Sequence, residues 1–136
     1  MSKALRVWLI DDDDDESFFF ETALEEMDYS VEFSSYRDSE VAISILNDST
    51  TIIPDLLFLD WNMPKLTGKD CLTTIRQCPH LNKLPVIVYT TSSSISDKHS
   101  AKTYGASYFL TKPSTFTELR KKLKQLFTQD LTVQNI

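Results

Sequence analysis

The sequence predicts a doubly wound α/β fold of the (βα)5 type, with a five-stranded parallel sheet and helices on both faces. Three observations carry that prediction. Apolar or β-branched runs alternate with amphipathic stretches five times along the chain. The run Leu56-Leu57-Phe58-Leu59 sits between Pro54 and Pro64 without a polar interruption, as a strand buried on both faces requires. Acidic or hydroxyl-bearing residues follow the apolar runs, where an open parallel sheet presents its chemistry.

Leu5 to Ile10 reads as the first strand. Five aspartates follow, Asp11 to Asp15. Runs of like charge are usually solvated, but this one is held between a strand and an apolar segment. Asp13 or Asp14 is placed to cap the next helix, whose N-terminal dipole suits the carboxylates after it. In that helix Phe20, Ala23, Leu24 and Met27 form an inward stripe. Val31 to Tyr36 is a short alternating strand. Asp38 or Ser39 then caps a helix with Val41, Ala42, Ile45 and Leu46 facing inward.

Pro54 to Leu59 is the third strand and ends at Asp60. After the loop at Lys65 to Gly68, a helix carries Leu72 and Ile75 and stops before Pro79. Pro85 to Thr90 is an apolar, β-branched strand. A weakly apolar helix runs from Ile95 to Tyr104, with Gly105 as its left-handed cap. Ala106 to Leu110 is the last strand, leading into Thr111-Lys112-Pro113. The final helix has Phe116, Leu119, Leu123, Leu126 and Phe127 on one face. One domain spans residues 1–136, with a core at 5–127 and a short frayed tail at 128–136.

Composition narrows the function classes. With 41% hydrophobic and 25% charged residues, the chain has the makeup of an ordinary globular domain. It shows no membrane-length apolar run and no signal-peptide pattern, so a cytoplasmic protein is expected. The net charge of −6 argues against direct DNA binding. Charge is also unevenly spread: ten of the twenty acidic residues lie between Asp11 and Asp28, and seven of the fourteen basic ones between Lys98 and Lys124. Cys71 and Cys78 are read as free structural thiols. With only two glycines, no glycine-rich dinucleotide loop is possible.

The chemistry gathers at four strand ends. The first supplies Asp11 and Asp12, the third Asp60, the fourth Thr90 and the fifth Lys112. Two unit charges ~4 Å apart repel by roughly 4 kcal/mol at an effective dielectric near 20, so three carboxylates need compensation. A hard divalent cation such as Mg²⁺ supplies it, and Lys112 adds a fixed positive charge. Such a site suits an anion arriving at Asp60, whose carboxylate can attack phosphorus and form an aspartyl phosphate. Mg²⁺ and Lys112 would then stabilise the transferring group, and Thr90 would bond one of its oxygens.

The motifs Leu9-Ile10-Asp11-Asp12, Leu59-Asp60-Trp61-Asn62-Met63-Pro64 with Gly68, Val88-Tyr89-Thr90-Thr91 and Thr111-Lys112-Pro113 stand in order at predicted strand ends. In these the chain resembles the receiver (CheY-like) domain of two-component response regulators, from Leu5 to Phe127. The resemblance implies a flavodoxin-like sheet of order 2-1-3-4-5 and Asp60 as phosphoacceptor. It implies Mg²⁺ held by Asp11, Asp12, Asp60 and the backbone carbonyl of Asn62. Thr90 would be the switch hydroxyl, with Phe109 at the aromatic switch position. Lys112 would contact the phosphate, and the Lys112–Pro113 bond would be cis. Trp61 is expected to be a partly exposed neighbour of the site.

The Asp-rich loop and Thr90-Thr91-Ser92 look most similar to stand-alone receivers, such as the partners of bacterial phytochromes. Asp13, Asp14 and Asp15 are read as a capping and solvated rim. The implied partners are a sensor histidine kinase or phosphotransfer protein and an unidentified downstream protein. A homodimer through the fourth helix, fifth strand and fifth helix is a further expectation. Two other readings compete. One is a receiver that no longer switches and binds constitutively. The other is an aspartate-nucleophile phosphohydrolase using Asp11 and Asp13, a reading that leaves Asp60 without a role.

Overall fold

The computed structural model describes residues 4–131 and 134–136. Five strands, β1 (Leu5–Ile10), β2 (Val31–Tyr36), β3 (Leu56–Leu59), β4 (Val86–Thr90) and β5 (Tyr108–Thr111), alternate with five helices. The helices are α1 (Asp14–Glu25), α2 (Ser39–Asn47), α3 (Gly68–Gln77), α4 (Ile95–Thr103) and α5 (Phe116–Phe127). All neighbouring strands pair in parallel, in the order β2-β1-β3-β4-β5. The expected fold class and strand order are both present.

The period-two alternation of the strands sorts the core into two layers. Val7, Leu9, Phe58, Ile87 and Tyr89 face α1 and α5, where they meet Phe20, Leu24, Leu119 and Leu123. Trp8, Ile10, Leu57, Leu59 and Val88 face the other way, onto Ala42, Leu46, Leu72, Ile75 and Ala101 from α2, α3 and α4. β1, β3 and β4 are therefore covered on both sides, which is why they read as unbroken apolar runs. The edge strand β2 alternates between half-buried and exposed positions over most of its length.

Two expectations about packing are corrected. The inward face of α2 is Ser39, Ala42, Ile43 and Leu46, while Val41 is 50% exposed. The same helical period holds, but it starts on a polar residue. The Ser39 hydroxyl donates to the carbonyl of Leu66 at 2.7 Å, which draws that face inward. The described residues after Thr128 are tied to the fold rather than frayed. Leu131 is buried, the Gln134 side-chain amide donates to the carbonyls of Lys102 and Ala106, and the Asn135 N–H donates to Ser107 O at 2.8 Å. A tertiary contact satisfies this polar segment, and its own sequence does not announce it.

Candidate functional site

Parallel pairing sets the site. Ile10 of β1 stands beside Leu59 of β3, so Asp11 and Asp60 leave the sheet side by side. Thr90 of β4 stands beside Thr111 of β5, which delivers Lys112 at the same edge. The backbone locks these exits: Asp60 N–H donates to Ile10 O at 2.9 Å, and Lys112 N–H donates to Thr90 O at 2.7 Å.

Carboxylate oxygens of Asp11, Asp12 and Asp60 all lie within 4.8 Å of one another. Asp11 and Asp60 are buried, whereas Asp12 is exposed. The Lys112 ammonium approaches Oδ2 of Asp11 to 2.8 Å, with the lysine side chain itself only 8% exposed. That close contact is an ion pair without a well-directed hydrogen bond, so Asp11 Oδ2 remains a buried oxygen lacking an aligned donor. The other Asp11 oxygen accepts from the Asp13 N–H at 3.0 Å. A buried, under-satisfied carboxylate oxygen next to two more carboxylates is a donor set for a hard divalent cation, and Mg²⁺ fits it.

The electrostatics follow from that crowding. Burial, followed by the charge of Asp11, pushes the Asp60 carboxyl up to about 7, against the pull of Lys112 and the Asn62 N–H. Burial also raises Asp11 above the usual carboxylate range, although Lys112 works against it. For Lys112, burial favours the neutral amine, but the close contact with Asp11 and the charges of Asp11 and Asp60 outweigh it and hold the lysine above its ordinary value. A divalent cation at this edge would favour both carboxylates in their ionised form.

Thr90 is the last residue of β4 and is buried; its hydroxyl oxygen accepts from the Ser92 N–H at 3.2 Å. The Thr111 hydroxyl donates to Ser92 O at 2.9 Å, tying the ends of β4 and β5 together. Phe109 lies two residues before Thr111 on β5 and packs half-buried against the layer that includes Ala101 and Tyr104. Asn62 is exposed and offers its N–H to the Asp60 carboxylate. Asp13 caps α1 by accepting from the Asp15 N–H at 2.9 Å, and Asp14 faces Arg37 at 3.3 Å, so the outer aspartates form a cap and a rim. Asp13 therefore does not stand free as the acid–base partner that a phosphohydrolase would need.

Two expectations fail here. No peptide bond among the described residues is cis, so Lys112–Pro113 is trans. The cis expectation came from resemblance; the local sequence prefers trans by about 0.5–1 kcal/mol. Trp61 is buried rather than partly exposed, because its ring packs beneath the close approach of Gly68 to the chain at Asp60 and Trp61. A β-carbon on Gly68 would stand 2.5 Å from Asp60 O.

The sequence reading missed a support beneath the site. The Tyr89 hydroxyl donates to Glu16 at 3.3 Å, and the Lys112 ammonium lies 5.4 Å from the centre of the Tyr89 ring. Burial, more than any neighbour, raises the Glu16 carboxyl. Tyr89 and Glu16 are far apart in sequence, and the trace of their contact is a tyrosine that follows the aliphatic run Val86-Ile87-Val88.

A family model described as the response regulator receiver domain matches residues 7–124. The chemotaxis protein CheY of Pseudomonas aeruginosa is 33% identical over 88 residues, covering 60% of this chain and 71% of that protein. The crystal structure of the phosphorylated cyanobacterial phytochrome response regulator RcpA superposes with a TM-score of 0.82 at 25% identity, covering 91% of each chain. The Mn²⁺-bound form of response regulator Rcp1 gives 0.79 at 27% identity, covering 90% of this chain and 91% of that one.

Proposed function

The chain belongs to the response regulator receiver domain family, and on that footing we propose how its residues divide the work of taking up a phosphoryl group and signalling it. Asp60 is the phosphoacceptor, and the protein is a signalling component whose catalysis is confined to its own phosphorylation and dephosphorylation. Its phosphoryl source is a cognate histidine kinase or phosphotransfer protein. The observation that carries this reading is the cluster of Asp11, Asp12 and Asp60 with Lys112 paired to Asp11.

In the transfer, an Asp60 carboxylate oxygen forms a bond to phosphorus as the bond to the donor's leaving atom breaks. Asp11, Asp12, Asp60 and the carbonyl of Asn62 would hold Mg²⁺, which would supply positive charge to offset the carboxylates and the incoming phosphoryl oxygens. Lys112 exchanges part of its contact with Asp11 for a phosphate oxygen. The Thr90 hydroxyl turns from the Ser92 N–H toward another, drawing the β4–α4 loop with it. Phe109 then moves between its half-buried position and solvent, changing the face formed by α4, β5 and α5. That face is the docking surface for the downstream protein or for a second copy of this chain.

We read the 136 residues as a single receiver unit that acts through protein partners. The net charge of −6 counts against direct DNA binding. No helix among the described residues is long and apolar enough to cross a membrane. A cytoplasmic location suits a kinase-fed phosphoacceptor.

Incubation with acetyl phosphate and Mg²⁺ tests the assignment. Wild-type protein is expected to gain one phosphoryl group, mapped to Asp60, and Asp60→Asn none. A folded, Mg²⁺-replete wild-type sample that stays unlabelled overturns it. Beryllofluoride with Mg²⁺ tests the switch, which requires a change in oligomeric state or partner affinity that Thr90→Ala abolishes.

A further inference from the structure

Asp11, Asp60 and Glu16 all attract the Lys112 ammonium. The first two belong to the cluster that suits a divalent cation, whereas Glu16, in the first turn of α1, stands outside it. A bound cation is the largest local charge in such a site, so it would take much of the pull of Asp11 and Asp60 away from the lysine. Glu16 would keep its hold. Among the charges acting on Glu16, that of Lys112 is the strongest.

Glu16 is half-buried, and a glutamate side chain in that position gains rotamer freedom by turning to water. Tyr89 opposes this, because its hydroxyl donates to Glu16 Oε2 at 3.3 Å. Tyr89 is fully buried on β4, and its ring packs edge-on against Phe20 and Phe58 at centroid distances of 5.4 and 6.2 Å. Burial raises the phenol far above its ordinary range, so the hydroxyl stays a donor. The same ring lies under Lys112, whose ammonium is 5.4 Å from the ring centre, within the reach of cation–π attraction. One rigid side chain thus supplies the floor beneath the ammonium and pins the carboxylate that attracts it.

We propose that Glu16, pinned by Tyr89, is a positioning residue for phosphoryl transfer that keeps the Lys112 ammonium at the site. The proposal rests on the reading of Asp60 as the phosphoacceptor. Lysine carries a point charge on a flexible stem. In the resting protein Asp11 holds that charge at 2.8 Å. To meet a phosphoryl oxygen the ammonium must loosen this contact without swinging to solvent. Glu16 and the Tyr89 ring limit how far it can turn.

Glu16→Gln removes the charge and Tyr89→Phe the pinning hydroxyl, while both keep a ring under Lys112. The full chain enriched in ¹³C-lysine reports the position of that side chain, because the ring current displaces its ε-methylene resonance. Lys112→Met identifies the resonance by its loss. In saturating Mg²⁺ without a phosphoryl donor, the resonance is expected to keep its displacement in wild type and to move toward the exposed lysines in both variants. Labelling by acetyl phosphate is expected to slow by about tenfold in each. The double variant should be no slower than either, since the two changes break one device. Circular dichroism establishes that the fold is kept. An unmoved Lys112 resonance in Glu16→Gln overturns the proposal. So does labelling as fast as wild type or faster in either variant, or a double variant in which the two losses multiply. Wild type left unlabelled removes the phosphoacceptor reading and the proposal with it; the resonance, which needs no donor, distinguishes that failure from a failed hold on the lysine.

Discussion

The ammonium of Lys112 lies 2.8 Å from Oδ2 of Asp11, a residue with no exposed surface, and among the described residues this is the one ion pair that the carboxylate cluster makes. Removing one member of a buried pair leaves a stranded charge, which costs about 3–5 kcal/mol. Lys112→Met is therefore expected to lower stability by that order in chelator-treated protein, measured by urea denaturation. Saturating Mg²⁺ should restore a substantial part by supplying positive charge from the other side. A loss below about 1 kcal/mol, or no response to Mg²⁺, would show that Lys112 does not neutralise the cluster.

The raised Asp60 carboxyl makes stability depend on pH in a direction opposite to most acidic groups. In the fold it titrates at about 7, against 3.8 as its ordinary value. Between those two values the folded protein keeps a proton that the unfolded chain has released. By linkage, stability therefore falls as pH rises from about 4 to about 7 and levels off above that. The slope reaches at most about 1.4 kcal/mol per pH unit from this group. The raised Asp11 and Glu16 carboxyls act in the same direction. In metal-stripped protein the urea midpoint should be higher at pH 5 than at pH 8, and Asp60→Asn should flatten the difference and stabilise the protein at pH 8. A wild-type midpoint that rises across the window contradicts the charge arrangement.

Gly68 holds the phosphoacceptor in place by lacking a side chain. A methyl group there would stand 2.5 Å from Asp60 O and 2.7 Å from Trp61 Cα, both backbone atoms that cannot step aside. Gly68→Ala is expected to cost about 3 kcal/mol through overpacking and to slow labelling by acetyl phosphate. Gly105→Ala is the control. It meets the Arg76 side chain, which is itself hydrogen-bonded to Gly105 O, at 3.2 Å and incurs the cost of φ +100°, so stability should drop by at least about 1–2 kcal/mol with labelling intact. Equal labelling in the two variants would separate Gly68 from the site.

The candidate site was readable because each contributor terminates an apolar run. Parallel pairing then brings the ends of β1, β3, β4 and β5 to one edge, whatever the helices do. The features that escaped depend on contacts between distant segments. Tyr89 and Glu16 meet only after α1 has packed on the sheet. The His80 ring finds Leu46 O across the α2–α3 interface. Arg76 donates to the carbonyls of Gly105 and Leu84 at 2.9 and 2.7 Å, a role that a basic residue at a helix end does not reveal in sequence. The rotation of α2 was missed because a serine hydroxyl found a buried carbonyl, so a polar residue occupied a position counted as outward.

The segment after α5 offers the clearest stability test of such a hidden contact. Its polar composition predicts fraying, yet Leu131 is 5% exposed and joins the layer formed by Leu56, Leu123 and Leu126. Truncating a leucine at such a site removes its transfer energy and leaves a cavity, so Leu131→Ala should cost about 2–4 kcal/mol. Phe18→Ala is the matched control, since Phe18 is 71% exposed and its loss should stay within about 0.5 kcal/mol. Thermal or urea denaturation decides between docking and fraying. If Leu131→Ala behaves like Phe18→Ala, the segment is not part of the folded unit in solution. If it costs the larger amount, residues beyond Thr128 help hold the start of β5 through the Asn135 bond to Ser107 O, and trimming them should destabilise the strand that carries Phe109.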